Sequence, residues 1–128
     1  MNKTLNSIQI LLRMLLMVTI FHFFIMLKLI PYDIAWGGRL TNDTEMYIFE
    51  AISILINLFL ISIVSIKGNY LKLRVNEKVI NSILWIFFIL FLLNTLGNLL
   101  AKTNFEKIFS VLTLILALLI WNTLKKNK

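Results

Sequence analysis

The side chains most able to bind a ligand or an ion lie in one polar stretch and in the apolar segment that follows it. Residues 31–57 contain Asp33, Trp36, Arg39 and Glu50. A carboxylate inside a membrane helix can bind a cation, carry a proton or pair with an amine. Arginine presents a planar fork that binds carboxylates and phosphates. This stretch is therefore the first candidate for a ligand site.

Polar residues also occur in the other apolar runs of the chain, where helical spacing puts them on shared faces. A polar group in hydrocarbon needs a partner from the protein or from trapped water. We therefore expect these faces to turn toward one another and to form a polar pocket in the outer half of the molecule, under a lid of residues 31–40. The faces are formed by His22; by Tyr47, Glu50, Ser53 and Asn57; by Asn94 and Asn98; and by Glu106, Ser110, Thr113 and Ala117.

Eight of these residues are the predicted ligand-binding set, and each also has a purely structural interpretation. Glu50 could pair with Arg39, Lys102 or His22 instead of a ligand. Amides in membrane helices often join helices through hydrogen bonds worth about 0.6–2 kcal/mol each. Both interpretations stay open at this stage. The predicted ligand-binding residues are Glu50, His22, Asn57, Asn94, Asn98, Trp36, Arg39 and Asp33.

Composition indicates a membrane protein with a single domain over residues 1–128. The 128 residues are 59% hydrophobic, and the mean hydropathy is +0.88. Four apolar runs reach the length of about 20 residues that a membrane-spanning helix needs. The predicted fold is an all-α transmembrane four-helix bundle with up-down-up-down topology. The predicted helices cover residues 8–30, 46–66, 79–100 and 105–124.

Local signals set the expected helix ends. Pro31 should end the first helix, because proline disfavours a helical conformation in the residue before it. Asn42 and Glu45 have the spacing of a capping box, in which the first side chain caps the helix and the second bonds back. Thr103 and Glu106 repeat that spacing, so the connection between the third and fourth helices should be tight.

The distribution of Lys and Arg predicts how the chain crosses the membrane. Nine of these residues lie at the ends of the runs that would share one side with the two termini, and four lie at the other side. Positive residues accumulate on the cytoplasmic side of membrane proteins. We therefore expect a multi-pass protein of a bacterial cytoplasmic membrane, with both termini in the cytoplasm and residues 31–44 facing outward.

The sequence disfavours several classes of function. The chain contains no cysteine, and no nucleophile–base pair, metal-ligand cluster or phosphate-binding loop is recognisable, so we expect no enzyme activity, no cofactor and no bound metal. The net charge of +7 comes from residues at the ends of apolar runs. Such residues suit the surface of a lipid bilayer and do not predict a nucleic-acid partner.

Two functional interpretations remain. In the first, the chain is a small transporter, channel or ligand-binding protein that takes a small ion or small molecule in the pocket around Glu50. In the second, it is a non-catalytic accessory, interaction or immunity-type membrane protein whose polar residues are helix-packing contacts. A homo-oligomer or a subunit of a membrane complex is compatible with either interpretation.

Overall fold

Four helices make up the structure. The computed structural model describes residues 3–30, 41–100 and 104–125, and no strand occurs among them. All four helices are long and apolar enough to cross a membrane, which confirms the all-α, four-helix prediction. The helices are α1 (Lys3–Met26), α2 (Asp43–Lys67), α3 (Glu77–Leu99) and α4 (Asn104–Lys125).

Contacts along the helices show that consecutive helices run antiparallel. Each pair of consecutive helices makes two contacts at different heights. In both contacts, a residue nearer the end of one helix meets a residue nearer the start of the other. Among neighbours, α3 and α4 pack most extensively and α2 and α3 least. The contacts that fix these directions are His22–Glu50 and Ile8–Gly68 for α1 and α2, Lys67–Asn81 and Phe59–Phe87 for α2 and α3, and Thr95–Thr113 and Trp85–Trp121 for α3 and α4.

This arrangement gives the bundle two chemically different ends. The end where α1 begins, α2 ends, α3 begins and α4 ends is called the basic end, since Lys67, Lys78 and Lys125 lie there. The opposite end is called the acidic end, since α2 and α4 start there with Asp43, Glu45 and Glu106.

The main core is apolar and lies between the middle of the bundle and the basic end. An amphipathic helix places its apolar side chains at helical spacing along the face that packs into the core. Many large apolar side chains are exposed on the outer surfaces of all four helices, as expected for surfaces in contact with lipid. The buried cluster comprises Ile8, Leu11, Leu15, Val18, Leu60, Ile63, Val64, Ile80, Leu84, Phe87, Phe91, Leu116, Ala117, Ile120 and Leu124.

The predicted end of the first helix was wrong by four residues, because α1 ends at Met26 and not at Ile30. Lys28 has a positive φ of 64°. Its N–H bonds to the carbonyl of Ile25, and the N–H of Leu29 bonds to the carbonyl of Phe24. This hydrogen-bond pattern is a Schellman motif, which ends a helix without proline.

The predicted cap of α2 is present. The Asn42 side chain accepts a hydrogen bond from the N–H of Glu45 at 2.8 Å. The Glu45 carboxylate reaches back to the N–H and the hydroxyl of Thr41, each at 2.8 Å. The predicted capping box of α4 is not described, because Thr103 falls outside the described residues.

Gly68, at the end of α2, allows α1 and α2 to approach closely at the basic end. A methyl group at this position would lie 2.9 Å from Cγ2 of Ile8 and 3.1 Å from the ring of Tyr70. Because Ile8 is only 1% exposed within the core, it has little room to move away. Gly97, inside α3, differs, since a methyl group there would meet no described atom within 4 Å.

These two glycines provide a matched test of the packing. We expect Gly68→Ala to lower the unfolding temperature in detergent, because the added methyl group displaces Ile8. Gly97→Ala should leave the temperature unchanged or raise it, because alanine favours a helix over glycine by about 1 kcal/mol. Thermal unfolding followed by circular dichroism measures both. An equal response of the two variants would contradict the close approach at Gly68.

Candidate functional site

The most unusual side chain in a helix of membrane-spanning length is Glu50. It is 0% exposed, and its Oε1 lies 2.5 Å from Nδ1 of His22 on α1. With a proton on Nδ1, the imidazole donates a short hydrogen bond to the carboxylate. One of the three pairings that the sequence offered for Glu50 is therefore present, while Arg39 and Lys102 lie outside the described residues.

Helix geometry explains why these two residues meet. His22 is four residues before the end of α1, and Glu50 is seven residues after the start of α2. At 1.5 Å per residue, these positions are about 6 and 10 Å from the respective helix ends. Nearer the acidic end, Lys28 in the turn after α1 forms an ion pair with Asp43 at the start of α2. The pair His22–Glu50 thus lies one to two turns inside the bundle.

Aromatic rings surround the histidine on the side of α4. The ring of Phe21 lies 5.8 Å from that of His22 in an edge-on arrangement, and it lies 5.5 Å from the ring of Phe109 on α4. Glu106, one turn before Ser110 on α4, is also buried at this end. The acidic end therefore contains two buried carboxyl groups and one half-buried imidazole that contacts an aromatic ring.

The polar face of α4 turns inward, as its spacing predicted. Glu106, Ser110, Thr113 and Ala117 are all buried. The hydroxyl groups of Thr113 and Thr95 on α3 are 2.9 Å apart. Thr95 also donates to the carbonyl of Phe91 on its own helix. This threonine pair joins α3 to α4 and fits the structural interpretation of polar residues.

Asn57 behaves differently from these hydrogen-bonded groups. It is buried in the middle of α2, with 8% exposure, and lies two turns beyond Glu50 on the same face. Its amide makes no hydrogen bond to any other part of the chain that the structure describes. Completely enclosed side-chain N and O atoms in this part of the chain all have partners. The Asn57 amide therefore borders space outside the chain and is not sealed in the core.

The other predicted binding residues separate into two groups. Asn94 is exposed and Asn98 is half-buried, so the structure does not bring Asn94 to the buried pair. Successive residues are rotated by about 100° around a helix, and Thr95 takes the inward position on α3. The second group consists of the predicted residues Asp33, Trp36 and Arg39 and the predicted lid, which fall outside the described residues.

Sequence reasoning missed two polar contacts, and helical spacing could have found only the first of them. The buried face of α3 runs through Ile80, Leu84, Phe87 and Phe91, and Thr95 continues it at the same interval. The second contact joins Lys67, whose side chain is 3% exposed, to Asn81 at 2.6 Å and to Glu77 at 3.5 Å. Lys67 looked like an ordinary end-of-helix charge because a linear sequence does not show that α3 covers it.

The described residues contain no group of three or more His, Cys, Asp or Glu side chains that could hold a metal ion. Comparison of the chain with protein-family models, with curated proteins and with solved structures found no match. The fold and the site therefore define a class only. It is an all-α protein with four helices of membrane-spanning length and a contact between a half-buried histidine and a buried carboxyl group.

Two asparagines allow a direct test of which amides have structural roles. Asn57→Leu should unfold at the same temperature as the wild type or higher, since no protein hydrogen bond is lost. Asn81→Leu should unfold at a clearly lower temperature, because it removes the acceptor of the buried Lys67 ammonium. Losing such a partner costs about 1–3 kcal/mol.

Thermal unfolding of both purified variants in the same detergent gives the comparison. If Asn57→Leu were destabilised as strongly as Asn81→Leu, the Asn57 amide would be a packing contact.

Proposed function

We propose that the chain is a small multi-pass membrane protein that binds a small cation or a proton at the pair His22–Glu50, as a transporter, channel or ligand-binding protein. The observation that carries this proposal is the complete burial of Glu50 against His22 in a helix of membrane-spanning length. Ionisable residues at such positions are costly to bury and commonly serve ion or proton pathways.

The chemistry of the pair suits a cation. A buried carboxyl group favours a small cation or a proton, and the imidazole nitrogen 2.5 Å away is a second polar group at the same place. Ser53 and Asn57 continue the same face of α2 toward the middle of the bundle. Asn57 lies about 10 Å beyond Glu50 along the helix. These oxygen-bearing side chains form a polar track on which a small cation or a water chain could be held.

The unpartnered Asn57 amide supports binding over packing at this position. An amide that served only to join helices would bond to a neighbouring helix. Such bonds exist elsewhere in the bundle, as the pair Thr95–Thr113 demonstrates. The Asn57 side chain is 8% exposed and has no hydrogen-bond partner among the described residues, so a ligand or bound water at its accessible edge would supply the missing bond.

The second candidate is a non-catalytic accessory or immunity-type protein that acts by associating with other membrane proteins. The observation in its favour is that the described enclosed polar atoms are all hydrogen-bonded within the chain. In that case His22–Glu50 would be a packing contact like the threonine pair. Neither candidate involves a catalysed reaction or a cofactor.

Threading follows from the charges. We propose that the basic end faces the cytoplasm of a bacterial cell and that His22 and Glu50 open toward the outside. The described basic residues support this orientation, since the basic end and the adjoining half of α1 carry Arg13, Lys67, Lys72, Arg74, Lys78 and Lys125, whereas the acidic end carries Lys28 and Lys107. The positive-inside tendency favours the richer end in the cytoplasm.

The central test of function is ion flux into proteoliposomes. We expect the wild type to conduct or transport a cation or protons, and we expect Glu50→Gln to abolish the flux while the unfolding temperature remains high. Glu45→Gln is the matched control, because it makes the same change five residues closer to the start of α2 and glutamine preserves the cap. It should retain wild-type flux.

The outcomes of this assay separate the two candidates. Flux that survives Glu50→Gln would contradict the site. The absence of wild-type flux across cation, anion and pH gradients would favour the accessory candidate. Affinity purification from membranes would then identify the associated protein.

Reporter fusions test the threading independently of function. A reporter that is active only in the cytoplasm should be active at both termini, and one that is active only outside should be active when inserted after Thr41. Activity of the external reporter at either terminus would overturn the proposed orientation.

A further inference from the structure

The connector between α2 and α3 combines exposed cations with exposed apolar side chains. Residues 69–79 are all exposed. Within them, Leu71, Leu73 and Val75 alternate with Lys72 and Arg74. Large apolar side chains in this number are unfavourable in bulk water. A surface that is both cationic and oily fits the headgroup region of a bilayer, where each kind of side chain finds a favourable environment.

Most of the cations that the structure describes at the basic end are exposed and are not paired with a described carboxylate. Lys72, Arg74, Lys78 and Lys125 are exposed and form no ion pair within the part of the chain that the structure describes. The described carboxylate at this end is that of Glu77, and it is 3.5 Å from the ammonium of the buried Lys67. Lys67 thus engages the available acid, and the exposed cations are left to bind anions from outside.

Two tryptophans mark the depth of this surface. The rings of Trp85 and Trp121 are 5.4 Å apart and stand edge to face, and both are partly exposed at the bundle surface. Trp85 is about 12 Å from the start of α3, and Trp121 is about 6 Å from the end of α4, at 1.5 Å per residue. Tryptophan is enriched where hydrocarbon meets headgroups. The exposed cations therefore lie beyond that boundary, at the level of lipid phosphates.

We propose that the basic end is a binding surface for anionic phospholipid headgroups, formed by Lys72, Arg74, Lys78 and Lys125 together with the apolar side chains of the connector. The interleaved Leu71 and Leu73 favour a lipid over a soluble anion, because a soluble phosphate offers these side chains nothing to contact. This surface is independent of the site at His22 and Glu50.

The test is lipid binding to the purified full chain in a neutral detergent, measured by native mass spectrometry. Phosphatidylglycerol should bind more tightly than phosphatidylcholine. The double variant Lys72→Gln/Arg74→Gln should weaken phosphatidylglycerol binding by about 25-fold, taking about fivefold for each basic residue near the surface. Binding of phosphatidylcholine should not change.

The matched control makes the same change of charge at the acidic end. Lys28→Gln/Lys107→Gln should leave phosphatidylglycerol affinity unchanged, and the unfolding temperature of each variant verifies its fold. Inorganic phosphate at millimolar concentration should not displace the lipid. The proposal is overturned if both double variants weaken binding equally, if the wild type shows no preference between the two lipids, or if inorganic phosphate competes.

Discussion

The structure depends on one constraint, which is that polar groups inside an apolar bundle must find partners within it. Backbone groups meet this constraint by forming helices, which bond internally. Side chains meet it through a small number of specific contacts between helices. The short contact between His22 and Glu50 joins α1 to α2, the threonine pair joins α3 to α4, and Lys67 with Asn81 joins α2 to α3. The apolar core fills the space between these contacts. Apolar packing is not directional, so it does not determine which polar groups meet.

Charge is used in opposite ways at the two ends of the bundle. At the acidic end, Glu50 and Glu106 are buried, so these carboxyl groups face the interior of the molecule. At the basic end, Lys72 and Arg74 are exposed without ion pairs among the described residues, so their charges act on the surroundings. This asymmetry is more informative than the net charge of the chain. It separates a region suited to a ligand from a region suited to the membrane surface.

The number and positions of the helices could be predicted because they depend on local properties of the chain. Apolar runs and the cap at Asn42 are visible in sequence, and the structure has them. The end of α1 could not be predicted in the same way. Lys28 adopts a left-handed conformation that its side chain does not favour, and Pro31 was a misleading signal for the last helical residue. The inward orientation of the polar face of α4 could be predicted from spacing alone, since Glu106, Ser110 and Thr113 repeat at helical intervals.

The candidate site was harder to predict because it depends on how each helix is rotated about its axis. A single step along α3 separates the exposed Asn94 from the buried Thr95, and no property of the amide itself reveals which of them faces inward. His22 was one of several possible partners for the carboxylate of Glu50. Choosing among those partners required knowledge of which levels of α1 and α2 meet.

The distinction between structural and functional polar residues in such a bundle therefore rests on where the partner is, and not on the type of residue. Thr95 and Asn81 are satisfied by neighbouring helices, which accounts for them fully. Asn57 has the same low exposure as Thr95, yet its amide has no such neighbour among the described residues. It lies on the same face of α2 as Glu50, and α2 packs less extensively on α3 than on α1. α2 is therefore the helix that combines a buried ionisable group with an amide that has no hydrogen-bond partner among the described residues.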